Sequence, residues 1–184
     1  MSSSATGRTL ILGVGNVLWA DEGAGPRSIE LLLRRLNLSA AEVVDGGTQG
    51  LYLLPMVTEA QRLLLFDAVD LGLPPGEVVV LEGEAIFSAF TGGILSLHQT
   101  SLHDLLAAAY LVGWQPEHVA LIGIQAMDTE NWGGDLSQPV AAALGEAIDR
   151  AEKILLRWGE PFTPMDDRLD RLHAKGPHVM FREK

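Results

Sequence analysis

The chain has 184 residues, the length of one domain, with a formal net charge of −11 at pH 7 and no cysteine. The lack of cysteine excludes disulfides, thiolate zinc sites and a cysteine nucleophile, so any metal must be bound by carboxylates and imidazoles. The acidic excess argues against a nucleic-acid partner, because binding to phosphates requires clustered lysine and arginine. Without an apolar run of roughly 18 residues or a secretory signal, we expect a cytoplasmic protein that does not associate with a membrane.

The first predicted element is a strand over the apolar run 9–14, whose lack of polar alternation is typical of a strand buried on both faces of a parallel sheet. Gly15 permits a tight turn after it, and Pro26 suits the first turn of a following helix. The buried face of that helix is predicted at i, i+3, i+4, i+7 spacing, at Ile29, Leu32, Leu33 and Leu36. Such units bind ligands beyond the carboxyl ends of their strands, where Asp21 and Glu22 lie.

Four more strands are predicted, at residues 42–45, 62–69, 77–82 and 118–125. The strand at 77–82 follows a turn too short for a crossover helix, so we expect it antiparallel at the sheet edge. Helices are predicted at 51–58, 101–112 and 138–158, and a long loop at 83–100. The pattern predicts a three-layer α/β/α sandwich with one mostly parallel, twisted five-stranded sheet. We expect this single domain to span 1–158 and a C-terminal tail without an assigned role to span 159–184.

Acidic residues close several of these strands, and a histidine lies in the long loop. Glu22, Asp67 and His98 come from three loops that a parallel sheet would bring to one edge. Two carboxylates and one imidazole suit an open site for a borderline divalent metal. Each residue also has an ordinary alternative: Glu22 as a solvated loop acid, Asp67 as a helix cap or arginine partner, and His98 as a backbone hydrogen-bond donor. Spacing alone leaves both interpretations open.

Two other functional classes, dinucleotide-binding enzymes and ordinary hydrolases, have weaker support in the sequence. Gly13 and Gly15 follow a strand, and Asp45 ends the next strand where a dinucleotide-binding unit would have its ribose-binding acid. Leu18 replaces the third glycine of that fingerprint, however, and the acids after it would repel a pyrophosphate. A nucleotide-binding oxidoreductase therefore rests on an incomplete motif. For hydrolases, neither a Gly-x-Ser-x-Gly elbow nor a His-Glu-x-x-His helix is present.

Several motifs together resemble the hydrogenase maturation endopeptidases. In chain order they are GVGNVLWADEGAG at 13–25, DGGT at 45–48, FDA at 66–68, SLHQ at 96–99 and GIQ at 123–125. The resemblance covers about residues 9–158. It implies an aspartic-type endopeptidase that removes the C-terminal extension from the large-subunit precursor of a [NiFe] hydrogenase after nickel has been inserted.

The resemblance also implies roles for four residues of this chain. Glu22, Asp67 and His98 correspond to the family's metal-binding residues, and Asp45 stands in its Asp-Gly-Gly-Thr loop as a possible catalytic acid. The nickel is expected to be carried by the substrate, with no nucleotide cofactor. The expected partner is the large-subunit precursor. We expect this protein to be a monomer that binds the precursor transiently. A nickel-binding accessory protein without protease activity would share the same ligands and is the alternative.

Overall fold

The computed structural model describes residues 7–91, 100–133 and 135–165. Its strands are β1 (Thr9–Val14), β2 (Leu36–Asn37), β3 (Glu42–Gly47), β4 (Arg62–Val69), β5 (Val78–Glu82), β6 (His118–Gln125) and β7 (Thr163–Pro164). Its α-helices are α1 (Ala24–Arg35), α2 (Leu54–Glu59), α3 (Glu84–Thr91), α4 (Thr100–Leu111) and α5 (Gln138–Arg157). Short 3₁₀ turns at Ala20–Gly23 and Gly50–Leu53 precede α1 and α2. Over the described residues, none of the helices combines the length and apolar character that crossing a bilayer requires.

Five strands form the main sheet in the order β3-β1-β4-β6-β5. The first four run parallel, and β5 pairs antiparallel with β6 at the edge. The predicted fold, a mostly parallel five-stranded sheet with one antiparallel edge strand, is therefore confirmed. Because the four parallel strands all end on the same side, the loops that follow them meet at one edge of the sheet.

Helices cover both faces of the sheet, which explains why its central strands are apolar throughout. Successive residues of a strand point to opposite faces. In β4, Leu64 and Phe66 pack with α1 and α5, whereas Leu63 and Leu65 pack with α2, α3 and α4. All eight residues of β4 are buried. Each face thus has its own hydrophobic core, and the result is the predicted three-layer sandwich.

Two local predictions are wrong. The loop predicted over 83–100 contains α3, which buries Ile86 and Ala89 against the sheet; the Gly92-Gly93 pair suggested a loop, but the i, i+3 apolar spacing before it dominates. Residues 92–99 lie outside the described residues. Leu33, predicted on the buried face of α1, is 48% exposed, because α1 contacts the core through Ile29 and Leu32.

A buried ion pair closes the end of the sheet opposite the strands' carboxyl ends. Arg62, which begins β4, lies 3.7 Å from the Glu160 carboxylate, and both side chains are at most 5% exposed. The Arg62 guanidinium also donates to the carbonyls of Trp158 and Gly7, and Thr9 Oγ1 donates to Glu160 Oε2 at 2.5 Å. These contacts attach the segment after α5 to the domain. Its next residues, in β7, pair antiparallel with β2.

Replacement of Arg62 by methionine is expected to destabilise the protein by about 3–5 kcal/mol, because Glu160 would keep a buried charge without its cation. Within the described part of the chain, Arg62 Nε and Glu160 Oε1 have no hydrogen-bond partner, so the pair itself is imperfectly satisfied. We therefore expect Arg62→Met/Glu160→Met to be more stable than Arg62→Met alone. Urea unfolding of the three proteins measures this, and equal or lower stability of the double variant would contradict it.

Candidate active site

A cleft of about 370 Å³ opens at the carboxyl ends of the parallel strands. Four chain segments form its walls, and each directly follows or ends one strand of the sheet. The lining residues include Val14 to Asn16 and Glu22 after β1, Gly47 and Thr48 after β3, Asp67 to Asp70 at the end of β4, and Ala126, Met127, Thr129 and Glu130 after β6. Asp67, Glu22, Asp70 and Glu130 make this lining acidic.

Asp67 forms the most unusual part of the lining, since its carboxyl group lies inside the cleft yet is only 6% exposed. Burial raises the pKa of Asp67 well above its usual range, and the negative charge of Glu22 raises it further, while a hydrogen bond from the Ala68 backbone acts in the opposite direction. The structure thus brings Glu22 and Asp67 together, as predicted. Two carboxylates in this arrangement favour a proton or a cation between them.

The turn that carries Glu22 is closed by its own backbone. Asn16 N donates to Glu22 O at 3.1 Å, and Gly15 N donates to Gly47 O at 3.0 Å, which joins the turn to the end of β3. Gly15 has φ +136°, and a Cβ there would lie 1.9 Å from the Glu22 carbonyl oxygen. Only glycine allows the chain to fold back so closely, so the predicted tight turn is confirmed together with its cause.

Asp21 does not line the cleft, unlike its neighbour Glu22. Its side chain is completely buried behind the cleft and accepts hydrogen bonds from the segment between β6 and α5, at Met127 N, Asp128 N, Ser137 N and Ser137 Oγ. The family resemblance predicts Glu22 rather than Asp21 as the site residue, which agrees with the cleft lining, but it predicts no role for Asp21. The two differ because the 3₁₀ turn directs successive side chains to different sides.

Gln125 is a second residue whose role the sequence did not reveal. It ends β6, is 4% exposed, and its Oε1 accepts from Leu71 N at 2.8 Å and Leu73 N at 3.3 Å. Its Nε2 donates to Asp70 Oδ1 at 3.2 Å, so the side chain holds the connection after β4 beside the cleft. The sequence signals are its position as a polar residue ending an apolar strand and its place in the GIQ motif, neither of which indicates these contacts.

The other two predicted site residues are placed differently. Asp45 lies on β3, is exposed, and is not part of the cleft lining; its Oδ1 accepts from Gly47 N at 2.9 Å, which shapes the loop leading to Thr48. His98 lies in 92–99, outside the described residues. Among the residues that are described, no three histidine, aspartate or glutamate side chains gather as a metal site. Of the three residues predicted as metal ligands, Glu22 and Asp67 thus line the cleft together.

A second concavity, of about 750 Å³, lies at the opposite end of β6. It is lined by His118, which stacks on Trp158 with ring centroids 5.5 Å apart, and by Phe87 and Tyr110. Among its described lining residues there is neither a buried carboxylate nor a turn at the carboxyl end of a parallel strand. The cleft around Asp67 is therefore the candidate active site.

Comparison with known proteins agrees with this geometry. A family model described as hydrogenase maturation protease matches residues 26–155, which is more than half of the chain. The chain belongs to the hydrogenase maturation proteases. It is 46% identical over 158 residues to the hydrogenase expression/formation protein HupD of Rhizobium leguminosarum, covering 85% of this chain and 78% of that protein. It is also 46% identical over 149 residues to HoxM of Cupriavidus necator, covering 80% and 74%.

Solved structures of hydrogenase maturation proteases share the fold described above. The maturating endopeptidase HybD of Escherichia coli superposes with a TM-score of 0.79 at 33% identity, covering 87% of this chain and 99% of that one. HybD of Thermococcus kodakarensis gives a TM-score of 0.68 at 31% identity, covering 80% and 98%. The protein is thus an endopeptidase, a hydrolase.

Proposed function

We propose that this hydrogenase maturation protease removes the C-terminal extension from a [NiFe] hydrogenase large-subunit precursor, and that it does so after nickel insertion. In this proposal Glu22, Asp67 and His98 bind the nickel that the precursor carries, and Asp45 activates the water that attacks the scissile peptide. Cleavage then depends on prior loading of the metal. The names of the relatives, which describe hydrogenase maturation and formation, support this class of substrate.

The observation that carries the proposal is the pairing of Glu22 with the buried carboxyl group of Asp67. Holding the partly exposed Glu22 beside the buried Asp67 costs free energy in the free protein, as the raised pKa of Asp67 indicates. A divalent cation presented by the substrate would compensate both charges, so binding energy becomes available only when the metal is present. Carboxylate oxygens and an imidazole nitrogen suit a borderline divalent ion such as nickel.

The rest of the cleft would position the peptide. Bound nickel in the precursor would fix the chain beside it, and orientation of the scissile bond is the main expected source of rate. Asp45 lies at the rim, next to the loop of Gly47 and Thr48 that lines the cleft. Because Asp45 Oδ1 accepts a hydrogen bond from Gly47 N, Asp45 Oδ2 is the oxygen that would take a proton from water. The scissile peptide therefore has to extend over the β3 side of the cleft.

The deciding experiment compares the intact mass of a cognate large-subunit precursor before and after incubation with this protein, with and without nickel loaded. Loss of a C-terminal peptide only from the loaded precursor is the expected result. Loss from both forms would remove the nickel condition from the proposal. No loss from either form, with a second protease of this family cleaving the same precursor, would favour the accessory-protein alternative.

Replacement of Asp45 by asparagine is expected to slow cleavage by about 10²–10⁴-fold, the usual contribution of a general base. Binding of the loaded precursor should persist, because Asp45 is outside the cleft lining. Single-turnover cleavage and precursor pull-down measure the two effects separately. Glu42→Gln is the matched control, since Glu42 begins the same strand and contacts Arg8 on the surface. Cleavage by Asp45→Asn at the rate of the control would show that another group activates the water.

A further inference from the structure

The buried Asp21 carboxylate joins two segments that are far apart in sequence. Its Oδ2 accepts from Met127 N and Asp128 N, both at 2.9 Å, and from Ser137 Oγ at 2.8 Å, while its Oδ1 accepts from Ser137 N at 2.6 Å. In return Asp21 N donates to Asp128 O at 2.9 Å. One side chain thus connects the Glu22 turn to Ser137 and to the segment 126–130, which supplies another wall of the cleft.

Two further observations indicate that this contact is maintained at a cost in the free energy of folding. Ser137 is the N-cap of α5, yet its side chain makes no capping hydrogen bond and instead donates to Asp21. Capping by serine normally stabilises a helix, so this stabilisation is given up. Ala20, directly before Asp21, has φ +35°, in a region that residues other than glycine rarely adopt. Strained backbone of this kind persists where surrounding contacts hold it and is concentrated at functional sites.

The two joined segments also touch at their outer ends. Trp19 and Trp132 form an antiparallel bridge with their rings edge to face, 5.4 Å apart, and Gly133 N donates to Leu18 O at 2.7 Å. Asp21 lies at the buried end of this contact and the tryptophans at the exposed end, where Trp132 is 66% exposed. Movement of one segment would therefore move the other.

We propose that Asp21 is a positioning residue for cleavage: its carboxylate holds the Glu22 turn and the 127–130 wall in one arrangement, so that the cleft is preformed for the metal-bearing precursor. This inference rests on the proposed function, because Glu22 and the wall are taken to contact the precursor. Asp21 itself does not reach the cleft. A carboxylate suits the position because all four groups that contact it are hydrogen-bond donors. Asparagine would direct its own N–H groups at some of these donors, and two donors cannot form a hydrogen bond with each other.

The test is a double-mutant cycle of Asp21→Asn and Ser137→Ala, with Asp149→Asn as the matched control. Asp149 is an exposed acid of α5, and in the described part of the chain its substitution would alter a surface ion pair with Arg35. Cleavage of nickel-loaded precursor is measured well below the thermal midpoint of every variant. Near-ultraviolet circular dichroism is recorded in parallel, and the contribution of the Trp19–Trp132 pair is taken as the difference from the same protein with Trp132→Phe, because Trp114 and Trp158 also contribute to the spectrum. This tryptophan signal reports whether the two segments remain joined.

For Asp21→Asn we expect kcat/KM to fall by about 10–100-fold, as when a contact that supports a metal ligand is lost. The loss should fall mainly on KM, and the tryptophan signal should change. Ser137→Ala removes one of the four donors and should cost about 5-fold. Its effect should largely disappear in the Asp21→Asn background, since the two side chains act through one hydrogen bond.

Unchanged KM and unchanged tryptophan signal in Asp21→Asn would overturn the proposal, and so would strictly additive effects in the cycle. If Asp21→Asn does not fold, Ser137→Ala carries the test alone, because it deletes a single hydroxyl group; its expected results are a raised KM and a changed tryptophan signal, and their absence overturns the proposal. If the native protein cleaves no precursor, the proposed function fails, and the tryptophan signal then decides separately whether Asp21 joins the two segments.

Discussion

Asparagine in place of Asp67 is expected to lower precursor processing by more than about 100-fold. Loss of a residue that only orients a metal ligand usually lowers activity by about 10–100-fold, and we expect a larger effect because Asp67 is itself a proposed ligand. Asp67 lies inside the cleft beside Glu22, so the change removes one proposed ligand while keeping the shape of the side chain. His98→Ala should have an equally severe effect, and Glu22→Gln a milder one. The measurement is conversion of nickel-loaded precursor, followed by intact mass.

The same Asp67→Asn variant is expected to be more stable than the native protein at neutral pH. The raised pKa of Asp67 means that the folded state binds its proton more tightly than the unfolded state does. Stability of the native protein therefore falls as pH rises from the unfolded-state pKa, about 3.9, through the higher folded-state pKa. Asparagine has no proton to lose, so the variant should gain about 0.5–2 kcal/mol at pH 7, and little at pH 3.

Urea unfolding between pH 3 and pH 8 checks this stability difference. Asp149→Asn is the control, because it removes an exposed acid and should change neither processing nor the pH dependence appreciably. Processing by Asp67→Asn at the native rate would eliminate the metal-recognition model. A variant that is less stable than the native protein at neutral pH would instead show that the free cleft gains more from the Asp67 charge than it loses by burying it.

Alanine at position 25 is expected to destabilise the protein strongly. Gly25 lies in the first turn of α1, and a Cβ there would be 2.1 Å from the Val14 carbonyl oxygen and 2.6 Å from that of Phe66. Both are backbone atoms of central strands and cannot turn aside. The helix would have to move away from the sheet and take the Glu22 turn with it. We expect a loss of about 3 kcal/mol or more and a thermal midpoint lower by about 6–12 °C.

Gly145→Ala is the matched control for Gly25→Ala. Gly145 lies inside α5, and a Cβ there would meet only the end of the Arg35 side chain, at 3.4 Å. Because alanine is the better helix former, this change should be neutral or stabilising by up to about 1 kcal/mol. Thermal unfolding of both variants tests the argument. A Gly25→Ala protein as stable as Gly145→Ala would mean that α1 is not held against the strands as closely as the structure places it.

Strongly patterned local sequence was sufficient to predict much of this fold. The bounds of β1, β4 and β6 agree with the prediction because strands buried on both faces need uninterrupted apolar residues, and the short turn before β5 leaves only an antiparallel edge position. Helix α3 was missed, since its short apolar face is less distinctive than the glycine pair that follows it. Within the described residues, the meeting of Glu22 and Asp67 also followed from the rule that parallel strands place their carboxyl ends together.

The sequence by itself determined the architecture and which loops carry the acids of the candidate site, since periodicity and glycine positions are local properties. Only the tertiary structure decided what each acid does. Asp21 and Glu22 are adjacent in sequence. Asp21 is buried and accepts four hydrogen bonds from residues more than a hundred positions away, whereas Glu22 lines the cleft. The contacts of Gln125 and the ion pair of Arg62 with Glu160 likewise join distant segments. Burial and hydrogen-bond partners depend on the packing of the whole chain, so no local pattern could assign them.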